Sequence, residues 1–186
     1  MNKTLITFFT VLFCLTSSVG WSKTMKDLEY RDGFHYKKFT DVPFTGDITG
    51  KKKGSFKNGK KDGSWVEYSD NGQLASKGEY KNGKEEGSWV TYYDNGQLWK
   101  NRNNKNDKRE GTWVTYWDDG QLWFKVNFKN DEREGAYISY GFDGQLREKG
   151  NYKNDEREGA WVEYNSDGTA NKEGTGTFKD GVKVSD

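Results

Sequence analysis

The sequence repeats itself every 24 residues, and this period restricts the fold more than any other feature of the chain. The motif Gly-x-Trp-Val-x-Tyr, or a close variant of it, begins at Gly63, Gly87, Gly111, Gly135 and Gly159. An Asn/Asp-Gly-Gln-Leu tetrad begins at Asn71, Asn95, Asp119 and Asp143. A Lys-Asn-Gly/Asp triplet begins at Lys57, Lys81, Lys105, Lys129 and Lys153. Because the three markers stay in phase, the sequence predicts tandem structural units that each pack on their neighbours.

Each unit has the sequence pattern of a β-hairpin. Short runs of aromatic and β-branched residues are separated by Asn-Gly or Asp-Gly pairs, which favour type I′ turns because both central residues there need a positive φ. The single proline, Pro43, precedes the repeats, so no proline interrupts their hydrogen-bond ladders. The sequence therefore predicts an all-β fold, an elongated single-layer antiparallel meander of tandem β-hairpins.

The strand register follows if Asn71-Gly72 is a two-residue turn. That turn places Trp65 opposite Gly78 and Tyr68 opposite Ala75, and an indole next to a glycine covers backbone that the glycine leaves bare. In the other units, the same count predicts the pairs Trp89 with Arg102, Trp113 with Val126, Tyr137 with Gly150, and Trp161 with Gly174. Alternation along the strands then puts apolar side chains on both faces of the sheet.

The composition excludes several classes of protein. The chain has 11 Phe, 11 Tyr and 8 Trp, so aromatic rings must supply most of the core. It has one cysteine, Cys14, and one histidine, His35, which argues against disulfides, thiol catalysis, metal binding and cofactor chemistry. Lys and Arg number 30 against 29 Asp and Glu, and this balance indicates no nucleic-acid partner. We expect no enzymatic activity, and His35 is expected to be structural.

Residues 1–22 have the pattern of a secretory signal peptide. Lys3 precedes an apolar stretch at 5–15, and small residues follow it. The stretch is shorter than the about 20 residues that span a bilayer, which disfavours an uncleaved anchor. Phe13 before Cys14 disfavours a lipoprotein. We therefore expect export to the periplasm or the extracellular space.

The chain divides into four parts on this interpretation. A signal peptide at 1–22 is followed by an N-terminal entry segment at 23–50. The repeat array covers 51–174, and a terminal unit covers 175–186. Open edge strands would allow end-to-end pairing of the array, although the sequence does not predict an oligomeric state.

The array resembles the MORN repeat. The segment from Gly78 to Gly87 is similar to that repeat, and the segment that begins at Gly87 and ends in Asn-Gly-Gln-Leu resembles its bacterial variant. The resemblance extends over roughly residues 30–186. Proteins with this variant are often described as YwqK-family antitoxins, so the resemblance implies contact with a protein or a lipid, or the masking of a toxin, without shared chemistry.

The chain departs from the repeat in two places. Arg102 and Asn104 stand where Gly78 and Tyr80 would recur, and Val126 replaces the next glycine. We expect a weakened or bulged strand at 100–108.

The middle units carry extra aromatic residues. Trp99 and Trp123 replace Ala75 in the period, whereas Tyr93 and Trp117 replace Ser69. The expected register pairs Trp99 with Tyr92 and Trp123 with Tyr116, which makes a strip of rings edged by Phe124. The candidate partner-binding residues are Tyr92, Tyr93, Trp99, Tyr116, Trp117, Trp123 and Phe124. The alternative is that these rings only pack the sheet.

Two groups of charged residues remain. Clusters of mixed charge at 84–86, 108–110, 131–134 and 155–158 are expected to be solvated turns. A calcium site there is disfavoured, because the adjacent Arg and Lys would repel the ion. Lys51, Lys52 and Lys53 could contact anionic lipid at a membrane surface or an acidic partner, or could protect a sheet edge from aggregation.

Together these patterns predict an exported, non-enzymatic repeat protein that binds a protein partner through an aromatic face. The alternative is an antitoxin-like inhibitor that masks a partner toxin, and a hydrolytic enzyme is less favoured still. The leader favours the first reading, since a cytoplasmic antitoxin has no use for an export signal.

Overall fold

The computed structural model describes residues 22–186, and nearly all of the predicted signal peptide lies outside them. A single turn of 3-10 helix at Met25–Asp27, capped by the Thr24 hydroxyl, precedes sixteen β-strands. The strands are β1 Leu28–Arg31, β2 Phe34–Lys37, β3 Gly46–Ile48, β4 Lys52–Lys57, β5 Lys60–Tyr68, β6 Leu74–Lys81, β7 Lys84–Tyr92, β8 Leu98–Lys105, β9 Lys108–Arg109, β10 Gly111–Tyr116, β11 Leu122–Lys129, β12 Glu132–Tyr140, β13 Leu146–Lys153, β14 Glu156–Glu163, β15 Gly176–Lys179 and β16 Val182–Ser185.

The strands form one long antiparallel meander. Strands β3 to β16 make a 14-stranded sheet in which spatial order follows sequence order, except that the short β9 pairs only with β8. Strands β1 and β2 form a separate two-stranded sheet. This unit docks on the start of the array, where the His35 amide donates to the Gly59 carbonyl oxygen over 2.7 Å. The predicted all-β hairpin meander is confirmed.

Two kinds of turn alternate along the meander. The Lys-Asn-Gly/Asp triplets form the two-residue turns with both φ angles positive, +53° at Asn82 and +84° at Gly83, as a type I′ turn requires. The Asn/Asp-Gly-Gln-Leu segments form longer turns. At the first of them the Ser69 amide donates to Gln73 O and the Gly72 amide to Ser69 O, and Gly72 is left-handed while Asn71 is not. The prediction of a two-residue turn at Asn71-Gly72 is therefore wrong.

The longer turn changes the register only near its own end. A bulge between Glu67 and Tyr68 places Tyr68 opposite Leu74 rather than Ala75, and it restores the predicted pair of Trp65 with Gly78. The pairs predicted for Trp89, Trp113 and Tyr137 are confirmed. Trp161, however, faces Gly176 instead of Gly174. The cause is an additional turn at 171–175, which the Thr175 amide closes on the Asn171 carbonyl oxygen.

An aromatic ladder forms the core. The Trp of each Gly-x-Trp motif alternates with a Phe or Tyr from the neighbouring strands, and the rings meet edge to face, the favoured geometry for aromatic pairs. Phe56 and Trp65 lie 5.1 Å apart between ring centroids, Trp65 and Tyr80 lie 5.7 Å apart, and Tyr80 and Trp89 lie 5.1 Å apart. The ladder buries Trp65, Trp89 and Trp161 almost completely.

The indoles lie over glycines, but not over those opposite them. Trp89 covers Gly78, and Trp161 covers Gly150, each on the strand before the tryptophan's own strand. The indole N–H bonds the next residue of that strand, as Trp89 Nε1 does with the Glu79 carbonyl oxygen over 3.1 Å. Each tryptophan therefore joins two consecutive hairpins.

The ladder is interrupted in the middle of the array. Asn104 takes the place of a ring, and the Arg102 guanidinium donates twice to the Glu85 carboxylate, over 2.9 and 3.1 Å. Asn104 Nδ2 donates to the same carboxylate over 2.6 Å. The core consequently falls into two clusters, one from Leu28 to Trp89 and one of Tyr152, Trp161 and Phe178. The sequence predicts a weakened or bulged strand at 100–108, but strand β8 is continuous over Leu98–Lys105, and the interruption falls on the next strand, between β9 and β10.

The charged clusters lie mainly within strands, which corrects their expected place in turns. The last residue of each cluster, a glutamate, accepts a hydrogen bond from the backbone of the next tight turn. Glu86 bonds the Asn106 amide over 2.9 Å, and Glu134 bonds the Asn154 amide over 3.1 Å. These carboxylates hold consecutive turns together.

Candidate functional site

All the Asn/Asp-Gly-Gln-Leu turns lie on one side of the array, because successive turns of a meander connect the strands at opposite ends. We call this side, which is formed by strand ends and not by an edge strand, the Gln-Leu edge. In the two middle units, Tyr93 and Trp117 are the first residues of these turns, since their amides and carbonyl groups close the turns at 93–97 and 117–121. Trp99 and Trp123 follow one residue after the start of the returning strands β8 and β11. The turns therefore bring extra rings together at this edge.

The rings at the Gln-Leu edge contact one another. Trp117 and Trp123 stack with 4.3 Å between centroids and 19° between ring planes. Phe124 lies edge to face with Trp123 at 5.4 Å, and Phe142 lies edge to face with Trp117 at 5.8 Å. Tyr93 lies 5.8 Å from Trp99. We call this group the aromatic strip, and its members are Tyr93, Trp99, Trp117, Trp123, Phe124 and Phe142.

The strip differs from the predicted one in its pairing. The bulge beside each longer turn places Tyr92 opposite Leu98 and Tyr116 opposite Leu122, so neither pairs with a tryptophan as expected. Tyr116 contributes only its carbonyl oxygen, which accepts a 2.8 Å hydrogen bond from the Tyr93 hydroxyl. The rings of Trp99 and Trp123 instead contact residues one position closer to the turn.

Sequence reasoning missed Phe142. It stands where Asp70, Asp94 and Asp118 stand in the earlier units, so it breaks the repeat in the same way as Trp99 and Trp123 do. A comparison of every column of the repeat, rather than of the strand positions alone, would have found it.

The strip is partly open to solvent. Trp123 is 38% exposed and Phe142 is 61% exposed, while the other four rings are half-buried. None of the six belongs to either core cluster. The Trp117 indole nitrogen is buried and has no hydrogen-bond partner among the described residues.

The carboxylates around the strip differ in whether they form an ion pair. Asp70 pairs with Lys51 in the first turn, and Asp143 pairs with Arg147 over 2.6 Å in the fourth. Asp94 and Asp118, in the two turns between them, form no ion pair within the described part of the chain. Burial raises the pKa of Tyr93, and the charges of Asp118 and Asp119 raise it further.

The three lysines at the start of the array have partners in the chain. Lys51 pairs with Asp70, Lys52 with Glu67 over 2.9 Å, and the Lys53 ammonium lies 4.7 Å from the Tyr68 ring. Lys52 and Lys53 begin strand β4, and the neighbouring β3 pairs only with Gly54, Ser55 and Phe56, so protection of a sheet edge stays a prediction. Contact with anionic lipid stays a prediction.

Within residues 22–186, no group of three or more His, Asp and Glu side chains is arranged to hold a metal ion. The His35 ring packs 4.8 Å from Tyr30 and 4.6 Å from Phe56, and burial lowers its pKa. No helix in this part of the chain has the length and apolar character needed to cross a membrane.

A groove of about 510 Å³ lies over β12, β13 and β14. Ala136, Ile138 and Val162 line it, and these residues alternate with the ladder residues along their strands. Lys125, Lys149 and Asn151 also line the groove, whereas the aromatic strip combines exposed rings with carboxylates. The strip is therefore the stronger candidate site.

Comparison with known proteins identifies the repeat. A family model described as MORN repeat variant matches residues 61–82, 85–106, 109–130 and 133–154. No curated protein matches. Two similar solved structures are a GtfA/B complex bound to UDP and GlcNAc (13% identity, TM-score 0.18) and accessory secretory protein 1, 2 and 3 of Streptococcus pneumoniae (15% identity, TM-score 0.17). The matches cover 72% of this chain in both cases, but only 24% and 20% of those chains.

Proposed function

We propose that this chain, whose four central units are MORN repeat variants, is a non-enzymatic scaffold that binds a protein partner through its aromatic strip. The observation that carries the proposal is the stack of Trp117 on the 38% exposed Trp123, beside the 61% exposed Phe142. These rings lie outside the core clusters and interrupt the repeat pattern in the third and fourth units.

The physical argument is one of exposed amphipathic area. Aromatic rings are enriched at protein interfaces because they bury a large apolar surface with few rotatable bonds. The strip presents such rings on turns that hydrogen bonds close, so little conformational entropy remains to be lost on binding. Tryptophan and tyrosine are also the side chains that most often dominate binding energy at interfaces.

The test compares capture of partners from the native envelope fraction by two variants. The first combines Trp123→Ser and Phe142→Ser, and the control is Phe39→Ser, whose ring is 99% exposed and lies outside the array. We expect the strip variant to lose a specific partner by at least about tenfold, equivalent to ~1.4 kcal/mol. The control should keep that partner.

Thermal unfolding of both variants separates binding from folding. A strip variant that melts like the wild type and still captures the same partners would contradict the proposal. If the double variant unfolds, Phe142→Ser alone provides the comparison, since a side chain so exposed contributes little to stability.

Export is the second part of the proposal, and it rests on the sequence of residues 1–22. Fractionation of a tagged protein should find the processed chain outside the cytoplasm. Uncleaved protein confined to the cytosol would count against export.

The antitoxin-like alternative uses the same surface but a different partner. It predicts that a captured protein inhibits growth when expressed alone and that co-expression of this chain restores growth. A captured partner with no effect on growth would exclude masking of a toxin as the role of that complex.

A further inference from the structure

Rings, cations and carboxylates recur as triads in this fold. Arg133 lies with its guanidinium carbon 3.9 Å from the Tyr152 ring centroid and donates to Asp155 over 2.8 Å. In another unit Arg157 lies 4.4 Å from the Trp161 ring centroid and donates to Glu163 over 2.9 Å. A cation that meets a ring face and a carboxylate together gains from both, because the ring quadrupole and the acid attract the same charge.

The Gln-Leu edge has parts of this arrangement, one pairing a cation with a ring and one pairing a cation with a carboxylate, but neither occurs at Trp123. Lys100 lies over the Trp99 ring at 4.4 Å, but the residue that corresponds to Lys100 in the next unit is Phe124. Arg147 pairs with Asp143, but the residue that corresponds to Arg147 in the preceding unit is Trp123. The third unit has therefore lost both of the cations that its neighbours keep.

The carboxylates of that unit remain. Asp118 and Asp119 belong to the turn that Trp117 begins, and both side chains are exposed. Asp119 accepts hydrogen bonds from Gln121, and no Lys or Arg within residues 22–186 forms an ion pair with either acid. Their charges reach across to the neighbouring turn, where both raise the pKa of Tyr93.

We infer that the aromatic strip recognises an arginine- or lysine-bearing segment of its protein partner, with the cation against Trp123 and the carboxylates of Asp118 and Asp119. This inference rests on the proposed function and adds the chemistry of the partner. The partner's side chain completes the triad that the chain builds for itself elsewhere. Arginine fits best, because its planar guanidinium stacks on an indole and still donates hydrogen bonds in the plane.

The same charges argue against other partners. Two carboxylates that form no ion pair within the described part of the chain repel phosphate, which disfavours nucleic acid and anionic lipid at this surface. An acidic protein surface is disfavoured for the same reason. A basic segment is attracted by these charges over a distance set by the ionic strength, so its association should weaken in salt.

The experiment uses two short peptides as probes, acetylated Gly-Arg-Gly-Arg-Gly amide and the same peptide with citrulline in place of arginine. Citrulline keeps the planar shape and removes the charge. The readout is the NMR signal of the Trp123 indole N–H, assigned with Trp123→Phe. We expect a saturable shift with the arginine peptide and binding about three- to fivefold weaker with the citrulline peptide.

The double variant combines Asp118→Asn and Asp119→Asn. Its control is Asp167→Asn, which lies on the Gln-Leu edge but outside the strip. The double variant should weaken binding of the arginine peptide about threefold or more, and the control should leave it unchanged. Equal binding of the two peptides, an unaffected double variant, or no saturable shift up to about 10 mM peptide would each overturn the inference.

Partner capture separates this inference from the proposed function. If Trp123→Ser with Phe142→Ser abolishes capture but the double aspartate variant does not, cation recognition is wrong and the binding strip stands. If neither pair of substitutions changes capture, both proposals are wrong.

Discussion

A glycine under an indole is the smallest feature that holds the array together. A Cβ placed on Gly78 would overlap the five-membered ring of the Trp89 indole, and the same holds for Gly150 and Trp161. Neither glycine has a positive φ, so the requirement is for space and not for a special backbone conformation. The indole lies flat on the strand and its N–H reaches a carbonyl group there.

Gly78→Ala should destabilise the protein by about 1–3 kcal/mol, because the added methyl group must displace a buried tryptophan. Chemical denaturation gives the free energy of unfolding. The control is Ser64→Ala, an exposed strand residue in the preceding Gly-x-Trp motif, which should change the free energy by less than about 0.5 kcal/mol. Equal effects of the two substitutions would contradict the packing of Trp89 on Gly78.

The turn carboxylate of Asp155 gives a pH dependence. A hydrogen bond from the Arg133 side chain, and a further one from its backbone amide, lower the pKa of Asp155 below its ordinary value of 3.8. A lowered pKa in the folded state means that the stabilisation is complete above about pH 3.8 and is lost as pH falls through the lower folded pKa. The carboxylate is largely exposed, so the contribution should stay below about 1 kcal/mol.

The measurement for Asp155 compares the wild type with Asp155→Asn from pH 6 downward by thermal unfolding. The difference in stability between the two should be constant near neutral pH and should shrink in acid. Asp180→Asn, which removes an exposed carboxylate from the last tight turn, is the control. A difference that grows in acid would contradict the assignment.

At the scale of the hairpin, the replacement of three residues in one unit divides the aromatic core of the array. At the corresponding positions, the other units place a cation over an aromatic ring, as Arg109 does over Phe128 at 4.2 Å. In the second unit Glu85 replaces the cation, Asn104 replaces the ring, and Arg102 replaces the glycine. The negative charge of Glu85 is matched by the positive charge of Arg102, and both Arg102 and Asn104 donate hydrogen bonds to the Glu85 carboxylate. Only Arg102 Nε of this group is buried without a hydrogen-bond partner among the described residues.

The replacement of these three residues predicts that their effects on the free energy of unfolding are strongly coupled. Glu85→Gln alone should destabilise the protein by about 1–3 kcal/mol, because it leaves the partly buried Arg102 without its counter-charge. The triple variant Glu85→Lys, Arg102→Gly and Asn104→Tyr restores the pattern of the first unit and should be at least as stable as the wild type. Denaturant unfolding measures both, and additive effects of the three single changes would contradict the coupling.

Across the whole molecule, the chain is a line of hairpins with two separate aromatic cores. Repeat arrays of this kind gain stability from contacts between neighbours, so a weak interface in the middle limits cooperativity. The first core includes the N-terminal unit through Leu28 and Phe44, and the second ends at Phe178. Between them lie β8 to β11, with only two residue pairs between β8 and β10.

Hydrogen exchange should reveal this division. Amide groups of β8 and β10 should exchange roughly tenfold faster than those of β5 and β6, a difference of ~1.4 kcal/mol in the free energy of local opening. Mass spectrometry of proteolytic fragments measures the rates, with β12 and β13 as an interior comparison. The triple variant should slow exchange in the middle strands, and uniform protection along the wild-type array would contradict the division.

Much of the fold and part of the candidate site follow from local sequence. The period, the hairpin units and the pairs of Trp65 with Gly78 and Tyr137 with Gly150 could be predicted, because turn residues and side-chain alternation act within a few residues. The aromatic excess of the middle units was visible for the same reason. Phe142 also departs from the repeat, but it lies at a turn position, where the alternation of side chains along a strand predicts nothing about the residue.

Only the tertiary structure decided which residues meet between units. The longer turn and its one-residue bulge moved the partners of Trp99 and Trp123 from Tyr92 and Tyr116 to Tyr93 and Trp117, because the pairing is shifted between the bulge and the turn. It also decided that the indoles of Trp89 and Trp161 cover Gly78 and Gly150 on the preceding strands, and that Asp143 has a cationic partner while Asp118 forms no ion pair within residues 22–186. The sequence by itself determined the units, since short-range sterics and hydrogen bonds form them, whereas contacts between units depend on positions that only the assembled sheet defines.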